Sequence, residues 1–272
     1  MAGRWSNDDI PWGRFDPAKV DPDILAAVKA AALVERNAQD YVAYLNNVFP
    51  DDPQFQENIA AWGFEEEQHG LALAAWAVHA DPSFDFQGSL ARFRDSFQLP
   101  LDATASVRGS RAGEMIARCV VECGTSSLYS ALRDATDEPV LEAICNRIAG
   151  DEFRHYKLFY EGFLKCDATV HLSLWQRIKV AVGRIAETSD DELSMAYWAA
   201  NHAAEPYDRV RHGNAYALRV GRLYRFGHVR RAIGMVMKAC RLNPQGRVAD
   251  CIGYAGWTFL QHRNRRLARA AA

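Results

Sequence analysis

Ala61-Trp62-Gly63-Phe64-Glu65-Glu66-Glu67-Gln68-His69-Gly70 and Ile148-Ala149-Gly150-Asp151-Glu152-Phe153-Arg154-His155 share one pattern, a leading acid followed by Glu-x-x-His. On a helix, positions i and i+3 lie on one face, so each pair aims a carboxylate oxygen and an imidazole nitrogen at the same point. The flanking apolar residues keep helical spacing. Phe55, Ile59 and Trp62 lead into the first pair and Leu73 and Trp76 follow it; Leu141, Cys145 and Ile148 lead into the second, with Phe159, Gly162 and Cys166 after it. Each pair therefore interrupts the apolar stripe of a long helix.

A second kind of interruption lies about thirty residues upstream of each pair. Ile24, Val28, Ala31, Ala38, Val42 and Leu45 form a stripe that opens after Asp21-Pro22, an N-cap with proline at the first helical position, and its missing member is Glu35. Met115, Cys119, Ser126 and Tyr129 form another, with Glu122 in the gap. The arrangement is a repeat: Glu35 precedes Glu122 by 87 residues, and Glu66 and His69 precede Glu152 and His155 by 86. Two helical hairpins, 21–80 and 111–166, joined by the Pro82–Ser110 connection, predict an all-α fold of ferritin-like topology, a four-helix bundle with one long crossover. Residues 1–20 read as an N-terminal arm and 21–170 as the bundle. Residues 171–272 read as additional helices packed on the same domain, about His171–Glu187, Asp190–Leu223 and Arg230–Leu242, with a final basic segment to Arg269.

A carboxylate within an apolar stripe faces the core, where an unpaired charge costs several kcal/mol and is neutralised, paired or metal-bound. Four carboxylates and two imidazoles suit two divalent iron ions, with manganese as the alternative, and no thiolate is placed to select zinc. The expected ligands are Glu35, Glu66, His69, Glu122, Glu152 and His155, with Glu35 and Glu122 each terminal or bridging. Buried Glu–His and Glu–Arg pairs without metal are the competing reading.

The two quoted stretches resemble the Glu-Glu-Asn-Arg-His-Gly and Asp-Glu-Lys-Arg-His segments of the soluble acyl-acyl-carrier-protein desaturases, the type 2 fatty acid desaturases of the ferritin-like di-iron carboxylate superfamily. Glu122-Cys123-Gly124-Thr125 matches that family's Glu-x-x-Thr, while Gln68 and Phe153 depart from its pattern. The resemblance covers roughly residues 15–170. It implies an O2-dependent di-iron oxidoreductase that desaturates a carrier-bound fatty acyl chain with electrons from a ferredoxin-like donor. The same ligands could serve a hydroxylase or N-oxygenase of another small molecule or of tRNA, or an iron-binding or peroxide-scavenging protein.

On this reading Glu65 and Asp151 each anchor the free ring nitrogen of the opposite helix's His; otherwise they are exposed acids. Thr125 sets a hydroxyl beside the metals as a catalytic group, or bonds its own backbone. Trp62 relays electrons or simply packs in the core. His202, Glu205 and His212 offer either a further ligand or a surface cluster near Asp208 and Arg209, and Met195, Met235 and Met237 read as packing. No glycine-rich phosphate loop or serine-nucleophile motif is present, so electrons are expected from an external donor.

The hydrophobic share of 49% excludes disordered and collagen-like classes. No stretch is long and apolar enough for a membrane span, and Met1 to Asp9 is polar, which together predict a cytoplasmic protein. The six cysteines form no Cys-x-x-Cys and are expected as buried thiols. Charge is unevenly spread: residues 206–272 carry 14 Lys or Arg and only two acids, Asp208 and Asp250, within a chain of net charge −2. That segment, with its Arg263, Arg265, Arg266 and Arg269 cluster, is expected to meet an anionic partner: an acidic acyl carrier protein, a phospholipid surface or RNA. A solvated basic tail is the alternative, and a homodimer is possible on this reading.

Overall fold

The chain's computed structural model describes residues 5–187 and 191–271, so the first four residues of the arm and Asp190, expected to open a helix, lie outside the described residues. All regular structure among the described residues is helical. Its framework is α1 (Pro22–Arg36), α2 (Ala38–Val48), α3 (Pro53–Ala80), α4 (Phe86–Ser96), α5 (Arg111–Ala135) and α6 (Pro139–Asp167). Local chemistry starts these helices where the sequence places caps. The Asp21 carboxylate accepts from the backbone N–H groups of Asp23 and Ile24, Asp52 from that of Phe55, and the Ser110 hydroxyl from Gly113. Glu138 caps α6 at Val140 and Leu141, and its buried carboxylate also accepts from Trp76 Nε1 and from the Asp16 backbone. One side chain thus ties the arm, α3 and α6 together, with its burial offset by four donors.

α1 and α2 pack along α3, α5 packs along α6, and α3 meets α6, so the two hairpins face one another. Their interior is divided. Ile24 to Leu33 of α1, Leu73 and Trp76 of α3, Tyr129 and Leu132 of α5, and Leu141 to Ile148 of α6 form one apolar cluster. Val42 and Leu45 of α2, Ile59 and Trp62 of α3, Met115 and Cys119 of α5, and Phe159 and Phe163 of α6 form the other. Along α1, α3, α5 and α6 the six expected ligands fall at the boundary between the two clusters. The apolar mass on both sides fixes the height at which those polar groups meet.

The remaining helices are α7 (Leu174–Ala186), α8 (Asp191–Asn201), α9 (Arg209–Leu223), α10 (Phe226–Ala239) and α11 (Arg247–Ala271). α8 lies on α1 and α4, α7 and α10 lie on α5, and α11 rests on α9 and α10. Several expectations need correcting. The first stripe is two helices, because the chain bends at Asn37, whose side chain bonds Asp40 and receives Arg94. Within the Pro82–Ser110 connection α4 forms after the Asp85 cap and buries Phe86, Leu90 and Phe93, a packing face hidden in the sequence by Gly88 and the surrounding polar residues. The helix expected over 190–223 divides into α8 and α9 around Pro206, which has no N–H to give a helix, and Asp208 caps the second part. α10 starts four residues earlier than expected and ends near Arg241, which sits at φ 58. Cys119, Cys123, Cys145 and Cys240 are buried as expected, whereas Cys251 is exposed.

Candidate metal centre

Glu35, Glu66, His69, Glu122, Glu152 and His155 are all buried, at 7% exposure or less. Close approach of α1 to α3 brings Glu35 to the others. A Cβ added at Gly70 would lie 2.6 Å from the Arg36 backbone nitrogen, and one at Gly63 would overlap the Val42 side chain. Only glycine permits that spacing on either side of Glu66 and His69.

Two four-residue groups each converge on a common point: Glu35, Glu66, His69 and Glu152 in one, and Glu66, Glu122, Glu152 and His155 in the other, with their nearest ligand atoms within 4.8 Å of one another. Glu66 and Glu152 belong to both. In a two-metal site these two carboxylates, rather than Glu35 or Glu122, would be the ones common to both sets of ligands. His69 Nδ1 lies 3.3 Å from Glu66 and 3.2 Å from Glu152, and His155 Nδ1 lies 3.0 Å from Glu66 and 3.7 Å from Glu122.

The outer ring nitrogens are held crosswise. His69 Nε2 is 3.0 Å from Asp151 Oδ2 on α6, and His155 Nε2 is 3.0 Å from Glu65 Oε2 on α3. Both acids are held below the usual carboxylate range: in Glu65 the His155 hydrogen bond outweighs burial, and in Asp151 the His69 hydrogen bond and charge do so. An ionised carboxylate only accepts, so each Nε2 carries a hydrogen and each Nδ1 is the atom left to face the centre. His69 Nδ1, His155 Nδ1, Glu122 Oε1 and Glu152 Oε1 are buried with no hydrogen-bond partner among the described residues. Four orphaned atoms of metal-ligating type around one point are what a bound divalent pair would satisfy.

Without metal the centre holds protons instead. Burial and the charges of Glu66 and Glu152 push Glu35 well above the usual carboxylate range, and burial with the same two neighbours does so for Glu122. Burial disfavours the ionised form of Glu66, but the His155 charge and the contacts from both histidines hold it well below its ordinary value. Burial likewise opposes protonation of His155, yet Glu66 and Glu65 raise it to about 10. His69 is raised well above its ordinary value against its burial by Asp151 and the surrounding carboxylates.

Thr125 on α5 reaches Glu152 Oε2 with its hydroxyl and also lies 3.3 Å and 3.2 Å from the carbonyls of Val121 and Glu122, so both its expected partners are within reach. Trp62 is buried, edge-on to His155 at 6.4 Å and to Phe159 at 5.6 Å, and its indole N–H has no partner among the described residues. His202, Glu205 and His212 do not join either group: His212 Nδ1 accepts from the Asp208 backbone, its ring stacks on Tyr207, and His202 lies 3.9 Å from Glu205. Met235 and Met237 are core residues.

Two neighbours of the centre were not anticipated from the sequence. Tyr129 donates its hydroxyl to Glu35 Oε1; its place on the α5 stripe two turns beyond Glu122 was the available signal. Trp5 donates its indole N–H to Asp151 at 2.7 Å and stacks over His69 at 5.9 Å, with Gln68 holding its carbonyl. A single aromatic in an irregular arm carries no periodicity, so the sequence held no signal for it. No protein-family model matches the chain, and no match to it is found among curated proteins.

Proposed function

We propose that this chain is a ferritin-like two-metal oxidoreductase that uses O2 against an unactivated C–H bond, with a fatty acyl chain as substrate. The observation that carries the reading is the pair of four-ligand groups sharing Glu66 and Glu152, with orphaned nitrogen and oxygen atoms turned inward. Glu35, Glu66, His69 and Glu152 would hold one iron and Glu66, Glu122, Glu152 and His155 the other. Held by those residues and reduced by an external donor, the pair would let O2 act as the oxidant, two electrons from the donor and two from the C–H bonds ending with the removed hydrogens in water. The acyl substrate and a ferredoxin-like donor are taken from the resemblance to the desaturases.

The chain's own residues set the conditions for that chemistry. Asp151 and Glu65 fix the ring orientation and tautomer of His69 and His155 and keep both imidazoles basic. Tyr129 holds Glu35, and Thr125 places a hydroxyl proton at Glu152, a carboxylate shared by both groups. The two apolar clusters exclude water on both sides. A cleft of about 190 Å3 between α3 and α6 is lined by Asn58, Trp62, Glu65, Arg154, His155 and Leu158 and so meets the centre at His155. A neighbouring cleft of about 220 Å3 shares Asn58 and Leu158 and leads along Phe55 and Met115.

The test is anaerobic loading with ferrous iron, followed by O2 consumption measured with and without a ferredoxin-type reductant and an acyl thioester. Two irons per chain and reductant-dependent, acyl-dependent O2 uptake support the proposal. Rapid iron oxidation with neither reductant nor organic substrate assigns the centre to metal handling instead, and failure to bind iron removes the proposal altogether.

A further inference from the structure

We propose that the outer face of α11 docks this protein on an anionic phospholipid surface. α11 leaves Val248, Ile252, Tyr254 and Phe259 exposed to solvent. Its inner face starts with small residues: Ala249 is fully buried, a Cβ at Gly253 would lie 2.7 Å from Arg230 Cδ, and one at Gly256 would touch Val229 and Ile233. Those residues let α11 lie close on α10. Val248, Ile252, Ala255 and Phe259 recur along one flank at steps of four, three and four, about 100° around the helix from Ala249, Gly253 and Gly256, and Val248, Ile252 and Phe259 are 65%, 43% and 69% exposed. Trp257, Leu260 and Leu267 continue the inner side and are half-buried, so the packing of α11 on its neighbours is already supplied and leaves the Val248, Ile252 and Phe259 flank to solvent.

Charge selects the occupant. Arg247 stands at the start of the apolar stripe, and Arg263, Arg265, Arg266 and Arg269 follow it. None of the five has an ion-pair partner among the described residues. The single acid of α11, Asp250, is held by Arg230 at 2.8 Å. A second copy apposed through this face would set arginine against arginine with no free acid to meet them. α11 is also an outermost rod about 37 Å long, resting on α9 and α10, and it presents a convex ridge rather than a groove for a partner protein's side chains. An apolar ridge with arginines at both ends fits a planar anionic interface, where Val248, Ile252 and Phe259 enter the acyl boundary and the guanidinium groups remain among the phosphates.

This inference does not depend on the metal chemistry and is tested separately from it. The full chain is floated with vesicles of phosphatidylglycerol and phosphatidylcholine in equal parts, and with phosphatidylcholine alone, at low and high salt. Each arginine at an anionic surface is worth about a factor of five in partitioning, so Arg265→Gln, Arg266→Gln and Arg269→Gln together should weaken binding to the mixed vesicles roughly a hundred-fold. Ile252→Glu with Phe259→Glu should abolish it, with helicity by circular dichroism and metal content unchanged. Binding to phosphatidylcholine as strong as to mixed vesicles, binding unaffected by either set of substitutions, or no vesicle binding at all would overturn the proposal. So would a dimer of the parent chain that Ile252→Glu with Phe259→Glu converts to monomer, or capture of acyl carrier protein through the same arginines without vesicle binding.

Discussion

Removing metal and raising the pH should destabilise this protein, and His155 gives the scale of the effect, with His69 shifted in the same direction. His155 is buried between Glu65 and Glu66, at 3.0 Å from each, and its folded-state pKa is raised from an ordinary 6.5 to about 10. Between those two values the folded metal-free chain binds a proton that the unfolded chain releases, so stability falls as pH rises through the window. At 1.36 kcal/mol per unit, a protein at pH 7 retains roughly 4 kcal/mol of that linkage and one at pH 9.5 has lost nearly all but about 1 kcal/mol. For a chain of this size that corresponds to roughly 5–10 °C in melting temperature. Ferrous or manganous ions require the same nitrogen without its proton, so the stabilisation given by metal should grow as pH rises over the same window. The assay is calorimetry from pH 6.5 to 9.5 with chelator and with excess metal, on the parent chain and on His155→Gln. The metal-free parent should melt progressively lower, His155→Gln should flatten the slope, and the metal-induced gain should widen. A metal-free midpoint that rises with pH, or a slope identical in His155→Gln, would refute the reasoning.

Further tests address single elements of the centre. Glu66→Ala with Glu152→Ala removes both shared carboxylates and should take bound metal from about two ions per chain to none, read by elemental analysis, while circular dichroism stays helical. Asp151→Asn leaves His69 without its anionic anchor and should weaken metal binding by about 10–100-fold, measured by competition with a chelating dye. Gly70→Ala puts a methyl group against the Arg36 backbone and should cost on the order of 1–3 kcal/mol in denaturant unfolding. Gly150→Ala, on α6 with open space around the added carbon, should be neutral or stabilising by up to about 1 kcal/mol.

The parts of this protein legible in its sequence are those set by local periodicity. A 3.6-residue repeat converts spacing directly into a shared face, so the burial of Glu35, Glu66, His69, Glu122, Glu152 and His155 could be read from stripes they interrupt. The helix start at Pro22 was legible for the same reason, because the capping Asp21 side chain acts within three residues. The bend at Asn37 and the helix α4 escaped, since Asn37 is held by Arg94 from another element and α4 depends on burying Phe86, Leu90 and Phe93 against distant partners.

Only the tertiary structure decides how the ligands are shared and who supports them. Sequence spacing ranks Glu35 with Glu122 and Glu66 with Glu152, but says nothing of which carboxylates lie between the two groups; the approach of α2 over Gly63 and of α1 over Gly70 and the facing of α3 with α6 place Glu66 and Glu152 there. Trp5 over His69, Tyr129 on Glu35 and the outward face of α11 are likewise products of packing. The physical reason is range. Periodicity records which side of a helix is apolar, a property of neighbours three and four residues away, whereas bridging, anchoring and exposure depend on contacts between segments whose separation along the chain carries no regular signal.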